Sequence, residues 1–429
     1  MNQRSVLKGM QIQKTIPYRD SEAFFALVGM DGNGKNAYMP VGESLLAHHV
    51  LLLGGAGSGK TNLLFHFLRN IRANLTEADV MVVFDPTGEY YQAFYQEGDY
   101  VFSDDRPDAG EGWNLFAELG EDDRVIEDAA GLCELLFAKY IQASPEPLYT
   151  TAARDLLMAL IVYLYRQGGS ELQNNLALRE LVNDFDIESM REILQQETEL
   201  RALSAYLGKA DSYKTMAIIA ALQRAVRGLF QGGFGQEGSQ GIRPFVRNRG
   251  GKVAFIQYNA ARSESLQPIY ATLTDLCLQE VLSREGNEGN VYLFVDEAGI
   301  LPQLPHLEDA LLLGRSKGLR VMMAAAGIGR LEQAYGAAQL QSLLSAFGSK
   351  VAFQLYDSLG RNFIKSLYGR HRVVETFNSS VQVRGIIEQV ADQYIIEDED
   401  LTILQPGECI ISTMNNPPFW FRAKLYENR

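Results

Sequence analysis

The chain has 429 residues, of which 46% are hydrophobic, 21% charged and 10% aromatic. That length suits two or three packed units, and the composition excludes wholesale disorder. With 39 basic and 53 acidic residues the net charge is −14, which excludes a protein that coats nucleic acid over its whole surface. The charge is uneven. Residues 76–135 hold 17 Asp/Glu against 2 Arg, while residues 201–252 hold 9 Lys/Arg against 2 Asp/Glu. The first run reads as a solvated acidic face and the second as a surface able to meet phosphate; a water-facing helix is the plainer reading of either.

Residues 1–45 read as short strands between Gly/Asn turns, as in "GMDGNGKNAYMPVG". A buried parallel strand is expected at Val50 to Leu53, followed by a helix whose Leu63, Leu64, Phe67, Leu68 and Ile71 fall on one face. A second strand, Val80 to Asp85, comes one helix later, as a βαβ unit requires. Strand signals then stop. Residues 120–240 read as an all-helical insertion closed by the Gly-rich "QGGFGQEGSQG". Strands resume at 252–259, 291–297, 319–326 and 350–356, and "GECIIST" with "FWFRAKLY" suggests a closing hairpin. The fold class is therefore α/β, with a mostly parallel sheet and helices on both faces. Residues 1–119 and 241–429 read as the two parts of one α/β domain, interrupted by the helical insertion.

Cys133, Cys277 and Cys409 are odd in number and far apart, and the five His have no metal-site spacing, which fits a reducing cytoplasm. The start, "MNQRSVLKGMQIQK", lacks a signal-peptide core. The most apolar helical stretch, Leu156 to Tyr165, is about ten residues and better suited to a protein core than to a bilayer. No transmembrane segment is expected in this chain.

Chemistry concentrates in "GGAGSGKT", residues Gly54, Gly55, Ala56, Gly57, Ser58, Gly59, Lys60 and Thr61, with Asn62 next. This fits G-x-x-x-x-G-K-[ST] at every fixed position and stands between a strand and a helix. Glycines let backbone N–H groups converge on an anion at a helix N-terminus. Lys60 would reach the β- and γ-phosphates of ATP, and the Thr61 hydroxyl would ligate Mg²⁺. In "VYLFVDE" an apolar strand runs into Asp296, a holder of Mg²⁺ through water, and Glu297, a general base for the attacking water. Arg315 and Lys317 follow in a turn before the next strand, and a cation there can reach a neighbouring subunit's γ-phosphate. Asp85 and Glu89 end the second strand, as crevice ligands, with an N-cap role for Asp85 or Thr87 the equal alternative. Among the basic residues of 201–252, Tyr206, Tyr213, Phe230 and Phe234 are candidates for stacking on bases.

Four blocks, "HHVLLLGGAGSGKTNLL", "VVFDPTGEYYQAF", "GWNLFAEL" and "LFVDEAGILPQLPHLEDALLLGRSKGLRVMMAAA", followed by "LEQAYG", resemble the TraD/TraG-like coupling proteins of type IV secretion, conjugative DNA-transfer ATPases in the HerA/FtsK branch of RecA-like P-loop motors. The resemblance covers most of residues 45–425. It implies a RecA-like P-loop NTPase domain with an all-α insertion that receives DNA or a relaxase–DNA complex. It also implies Mg-ATP on Lys60 and Thr61, Asp296 and Glu297 as metal holder and base, and Arg315 as a finger supplied in trans within a homo-oligomeric, hexameric ring. The expected place is the cytoplasm, at the inner-membrane face through type IV secretion components or a separate anchor subunit. Two departures stand out: family members usually begin with a membrane-spanning segment, and Ala326 stands at a strand end where the family commonly has Gln. A HerA-like DNA translocase and a nucleotide-binding docking platform remain the rival readings.

Overall fold

The computed structural model describes residues 3–105, 111–184, 186–378 and 386–427. The chain divides into two compact units, one of residues 1–75, 292–303 and 308–429, the other of residues 76–291 and 304–307.

The first unit is built on the strand Val50–Leu53, whose four side chains are all buried. Apolar residues on both faces of a strand require a layer on each side, which is why this run needs no alternation. Its parallel neighbours are Leu319–Ala325 and Ser349–Ala352. Beyond Leu319–Ala325 lies Val291–Val295. On the other side the order continues through Glu408–Ser412, Phe419–Ala423, Phe25–Asp31 and Asn36–Val41, all antiparallel. The closing hairpin expected from the sequence is present, with Ile410 opposite Trp420. The helix Lys60–Arg72 buries the five residues its spacing marks: Leu63, Leu64, Phe67, Leu68 and Ile71. At about 1.5–3 kcal/mol for each fully buried side chain, this one face anchors the helix firmly. A separate three-stranded sheet, in the order Gln3–Lys8, Arg370–Asn378, Ile386–Tyr394, completes the unit.

The second unit carries the strand Val80–Asp85 beside Val253–Gln257, which in turn pairs with Tyr100–Phe102, all parallel. Between Val125 and Leu229 the longer elements are the helices Val125–Ala143, Pro147–Gln167, Asn175–Asp184, Ile187–Gln196 and Tyr213–Leu229. Pro147 sits in the first turn, where its missing N–H costs nothing.

Pro147–Gln167 corrects one expectation. At 21 residues it is long and apolar enough, by length and composition, to cross a membrane. It extends the ten-residue stretch seen in the sequence mainly at the N-terminal end, by more than two turns, where Thr150, Ala152 and Ala153 are buried along with its centre. It packs against Val125–Ala143 and Tyr213–Leu229, as a core helix does.

The charge runs also read differently once folded. Asp79, Asp85, Asp104, Glu118 and Asp128 of the acidic run are buried. Glu118 accepts from Trp113 Nε1 and from the backbone N–H of Ile242 and Arg243, and burial pushes its carboxyl pKa up. Within the basic run, Arg243 pairs with Asp128 at 2.8 Å and Arg247 with Glu280 at 3.0 Å. Part of each run is thus internal wiring rather than a solvated face.

Candidate active site

The loop after Val50–Leu53 is suspended from three elements of the first unit. Gly54 N–H donates to the Ala325 carbonyl at 3.2 Å, and Gly55 N–H to the Gln354 carbonyl at 2.8 Å. The Ser58 carbonyl accepts from Gly407 N–H at 2.8 Å. Glycine is required at two points for conformation: φ is +72° at Gly57 and +112° at Gly59, left-handed values that a side chain strains. A third glycine is required for space, since a Cβ on Gly54 would lie 2.5 Å from Phe353 Cβ and 2.6 Å from Ser58 Oγ.

The helix Lys60–Arg72 begins directly after this curl, so its N-terminal dipole faces the loop. Lys60 is 4% exposed, and its Nζ donates to the Gly54 and Gly55 carbonyls at 2.9 and 3.2 Å. The same nitrogen lies 3.4 Å from Glu297 Oε1. A buried ammonium needs this kind of surround, because an unpaired charge inside a protein is costly.

The strand Val291–Val295 delivers the two acids. Thr61 Oγ1 donates to Asp296 Oδ2 at 2.9 Å, across 235 positions of sequence. Asp296 Oδ1 accepts from Glu297 N–H at 2.9 Å. Glu297 itself has φ +48° and ψ +49°, a left-handed conformation worth on the order of 1 kcal/mol or more of strain in a non-glycine residue. That turn aims its carboxylate at Lys60.

The residues present fit a magnesium–nucleoside triphosphate. Ser58 Oγ is buried with no partner among the described residues, and a Cβ on Gly57 would meet nothing within 4 Å. Among the described residues no group of three or more His, Cys, Asp or Glu is gathered as a metal cage. Magnesium at such a loop needs only one or two protein oxygens beside the phosphates and water, and Thr61 and Asp296 supply them.

Arg315 is not part of this cluster. It lies in the 3₁₀ turn Gly314–Lys317, ahead of Leu319–Ala325, whereas the loop follows the last residue of the parallel strand Val50–Leu53. The two stand at opposite ends of the paired strands. Ala326 is exposed, immediately after the carbonyl that holds Gly54 N–H. Asp85 resolves as a cap: its carboxylate accepts from the backbone N–H of Thr87, Gly88 and Tyr91, at the start of the helix Glu89–Phe94. Phe230 and Phe234 are in the core, 1% and 0% exposed, so they stack on no base. Phe234 packs edge-on against Trp113 instead. Tyr206 donates its hydroxyl to Asp155, and Tyr213 donates to Glu146 from an exposed position.

A family model described as the type IV secretion-system coupling protein DNA-binding domain matches residues 34–420. The chain belongs to this family. Among curated coupling-protein relatives, the conjugal transfer protein TraG of Rhizobium radiobacter is 27% identical over 170 residues, covering 35% of this chain and 27% of its own length. The chain thus matches less than a third of that relative. Among solved structures, the unbound bacterial conjugative coupling protein TrwBdeltaN70 superposes with a TM-score of 0.76 at 20% identity, covering 99% of this chain and 94% of its own. The plasmid coupling protein TrwB in complex with ADP and Mg²⁺ gives 0.73 at 19% identity, covering 99% and 95%. The fold is therefore the α/β, RecA-like P-loop fold of the coupling proteins. Four supports of the loop escaped the sequence reading: Phe353, Gln354, Gly407 and the Lys424 carbonyl, which accepts from Asn62 Nδ2 at 3.1 Å and lies 2.7 Å from His66 Nε2. No motif marks them, since three act through backbone atoms and one through shape.

Proposed function

We propose that this chain is an ATP-driven coupling ATPase that recruits DNA, or a DNA–protein complex such as a relaxase on its strand, and moves it toward a type IV secretion machinery. The observation that carries the reading is the pair of contacts by which Thr61 meets Asp296 and Lys60 meets Glu297 beneath one glycine curl. TrwB, which shares the fold, forms complexes with ADP and Mg²⁺ and with a non-hydrolysable ATP analogue.

In this reading the backbone N–H groups of the curl from Gly57 to Thr61 bind the β-phosphate. Lys60 leaves the Gly54 and Gly55 carbonyls for the β- and γ-oxygens. Thr61 and Asp296 would hold Mg²⁺, which would neutralise phosphate charge. Glu297 accepts a proton from the attacking water at its carboxylate, as that oxygen bonds to the γ-phosphorus and the bond to the bridging oxygen breaks. Arg315, remote from its own loop, serves the neighbour's site in a homo-oligomeric, six-membered ring. The helical residues 120–240 face the cytoplasm and receive the substrate, and membrane contact comes through secretion components or an anchor subunit.

The test is steady-state ATP hydrolysis with and without single-stranded DNA, together with the particle mass in Mg-ATP. DNA-stimulated turnover by a ring supports the reading, and a monomer that neither assembles nor hydrolyses ATP refutes it. A second reading, a docking platform that binds nucleotide and hardly turns it over, is favoured by Ala326. Its methyl group cannot donate to a γ-phosphate from the strand end beside the loop. Tight ATP binding without DNA stimulation would select it.

A further inference from the structure

Arg315 is exposed, and among the described residues its guanidinium makes one hydrogen bond, from Nη1 to His48 Nε2 at 2.8 Å. The other ring nitrogen of His48, Nδ1, lies 2.6 Å from the Ser44 carbonyl and can only be a donor there. A neutral ring then presents a lone pair at Nε2, which is what an arginine N–H needs. A protonated ring would present N–H to N–H, with two positive charges in contact, and the bond could not form. The geometry therefore belongs to neutral His48.

The rest of the turn is held independently of that bond. His49 Nδ1 accepts from Val321 N–H at 3.1 Å, and its Nε2 donates to the Leu311 carbonyl at 3.1 Å. Arg320 Nη1 donates to the Arg315 carbonyl at 3.1 Å and to the Leu319 carbonyl at 2.7 Å, while its Nη2 pairs with Glu43. The backbone on both sides of Arg315 is thus fixed, and among the described residues it is His48 that orients the guanidinium. The charged and titratable groups at this turn are Glu43, His49, Arg315, Lys317 and Arg320, with Lys350 two residues beyond Gly348, which lies against the His48 Cβ and carbonyl.

We propose that His48 is a positioning residue for Arg315: neutral, it holds the guanidinium with its remaining N–H groups outward for a neighbouring subunit's phosphate, and protonated, it releases it. Preorganising one donor fork removes a rotamer cost from the transition state. Protonation of Nε2 removes the lone pair that Arg315 needs, so turnover in trans gains an acid limit that nucleotide binding does not share. The inference rests on the finger reading of Arg315.

The experiment is the pH profile of ATP turnover at saturating Mg-ATP, pH 5.5 to 8.5, for the assembled wild type and for His48→Gln, His48→Leu and Arg315→Ala. Nucleotide affinity and particle mass are measured alongside at each pH. His48→Gln keeps an acceptor that does not titrate, so it retains kcat at pH 8 and loses part of the wild-type decline at acid pH. His48→Leu lowers kcat at pH 8 by about tenfold with KM for ATP unchanged, the signature of a contact made only in the transition state. Wild-type kcat in His48→Leu, or a wild-type acid limb in His48→Gln, overturns the proposal while an inactive Arg315→Ala leaves the finger standing. Wild-type turnover in Arg315→Ala overturns the finger reading, and the proposal falls with it.

Discussion

Lys60 Nζ lies 3.4 Å from Glu297 Oε1, a cation from the start of one helix set against an acid from the end of a distant strand. Each keeps the other paired, and a triphosphate would compete for the same ammonium. Lys60→Ala is expected to lower ATP affinity by about ten- to a hundredfold, the worth of one or two charge-assisted hydrogen bonds. Titration calorimetry with Mg-ATP measures it, and an unchanged affinity would separate Lys60 from the phosphates.

Glu297→Gln keeps the backbone turn and the shape of the side chain but removes the base. ATP binding should persist while the hydrolysis rate falls by about 10²- to 10⁴-fold. Single-turnover kinetics on the assembled protein distinguishes this from a loss of binding. If the variant hydrolyses ATP at the wild-type rate, the base is another residue.

Asp85 tests the difference between a cap and a ligand. Asp85→Ala leaves three backbone N–H groups without their carboxylate and should cost about 2–4 kcal/mol of stability. Urea unfolding reads that loss. Nucleotide affinity should stay at the wild-type value, and a parallel drop in affinity would restore the ligand role.

His49 makes stability depend on pH. Burial, the largest influence, pushes its pKa down to about 4, while the hydrogen bond to the Leu311 carbonyl opposes the shift. The folded form thus binds the proton less readily than the unfolded chain, whose histidine titrates near 6.5. The stabilisation is complete above about pH 6.5 and is lost as the pH falls toward 4, amounting to about 3 kcal/mol across that window. Thermal melts of the wild type and His49→Gln between pH 7.5 and 4.5 check the slope. A variant as steep as the wild type would place the dependence elsewhere.

The phosphate loop and its flanking strand and helix were legible because each part is local: glycines for the curl, an unbroken apolar run, and a 3.6-residue stripe through Leu63, Phe67 and Ile71. The acids were legible because a strand end followed by Asp-Glu is itself a short pattern. Phe230 and Phe234 misled because a basic stretch surrounds them in sequence, whereas Arg243 and Arg247 spend their charge on Asp128 and Glu280 inside the fold. No strand was anticipated between residues 357 and 407, yet Arg370–Asn378 pairs there with Gln3–Lys8. That pairing joins segments more than 360 positions apart, and nothing local announces it. The supports of the loop at Gln354 and Gly407 were hidden for the same reason, since a carbonyl or an N–H is available from any residue.

The hold of Gly407 on Ser58, and of the Lys424 carbonyl on Asn62, has a consequence for biogenesis. On the ribosome the glycine-rich motif emerges about 350 residues before the strands that brace it. A nascent chain therefore carries the ATP signature without the scaffold that shapes it, and gains a competent cradle only when synthesis has passed residue 424. Fragments cut short before the hairpin should lack this brace and fall to cellular quality control rather than persist as partial, nucleotide-consuming species.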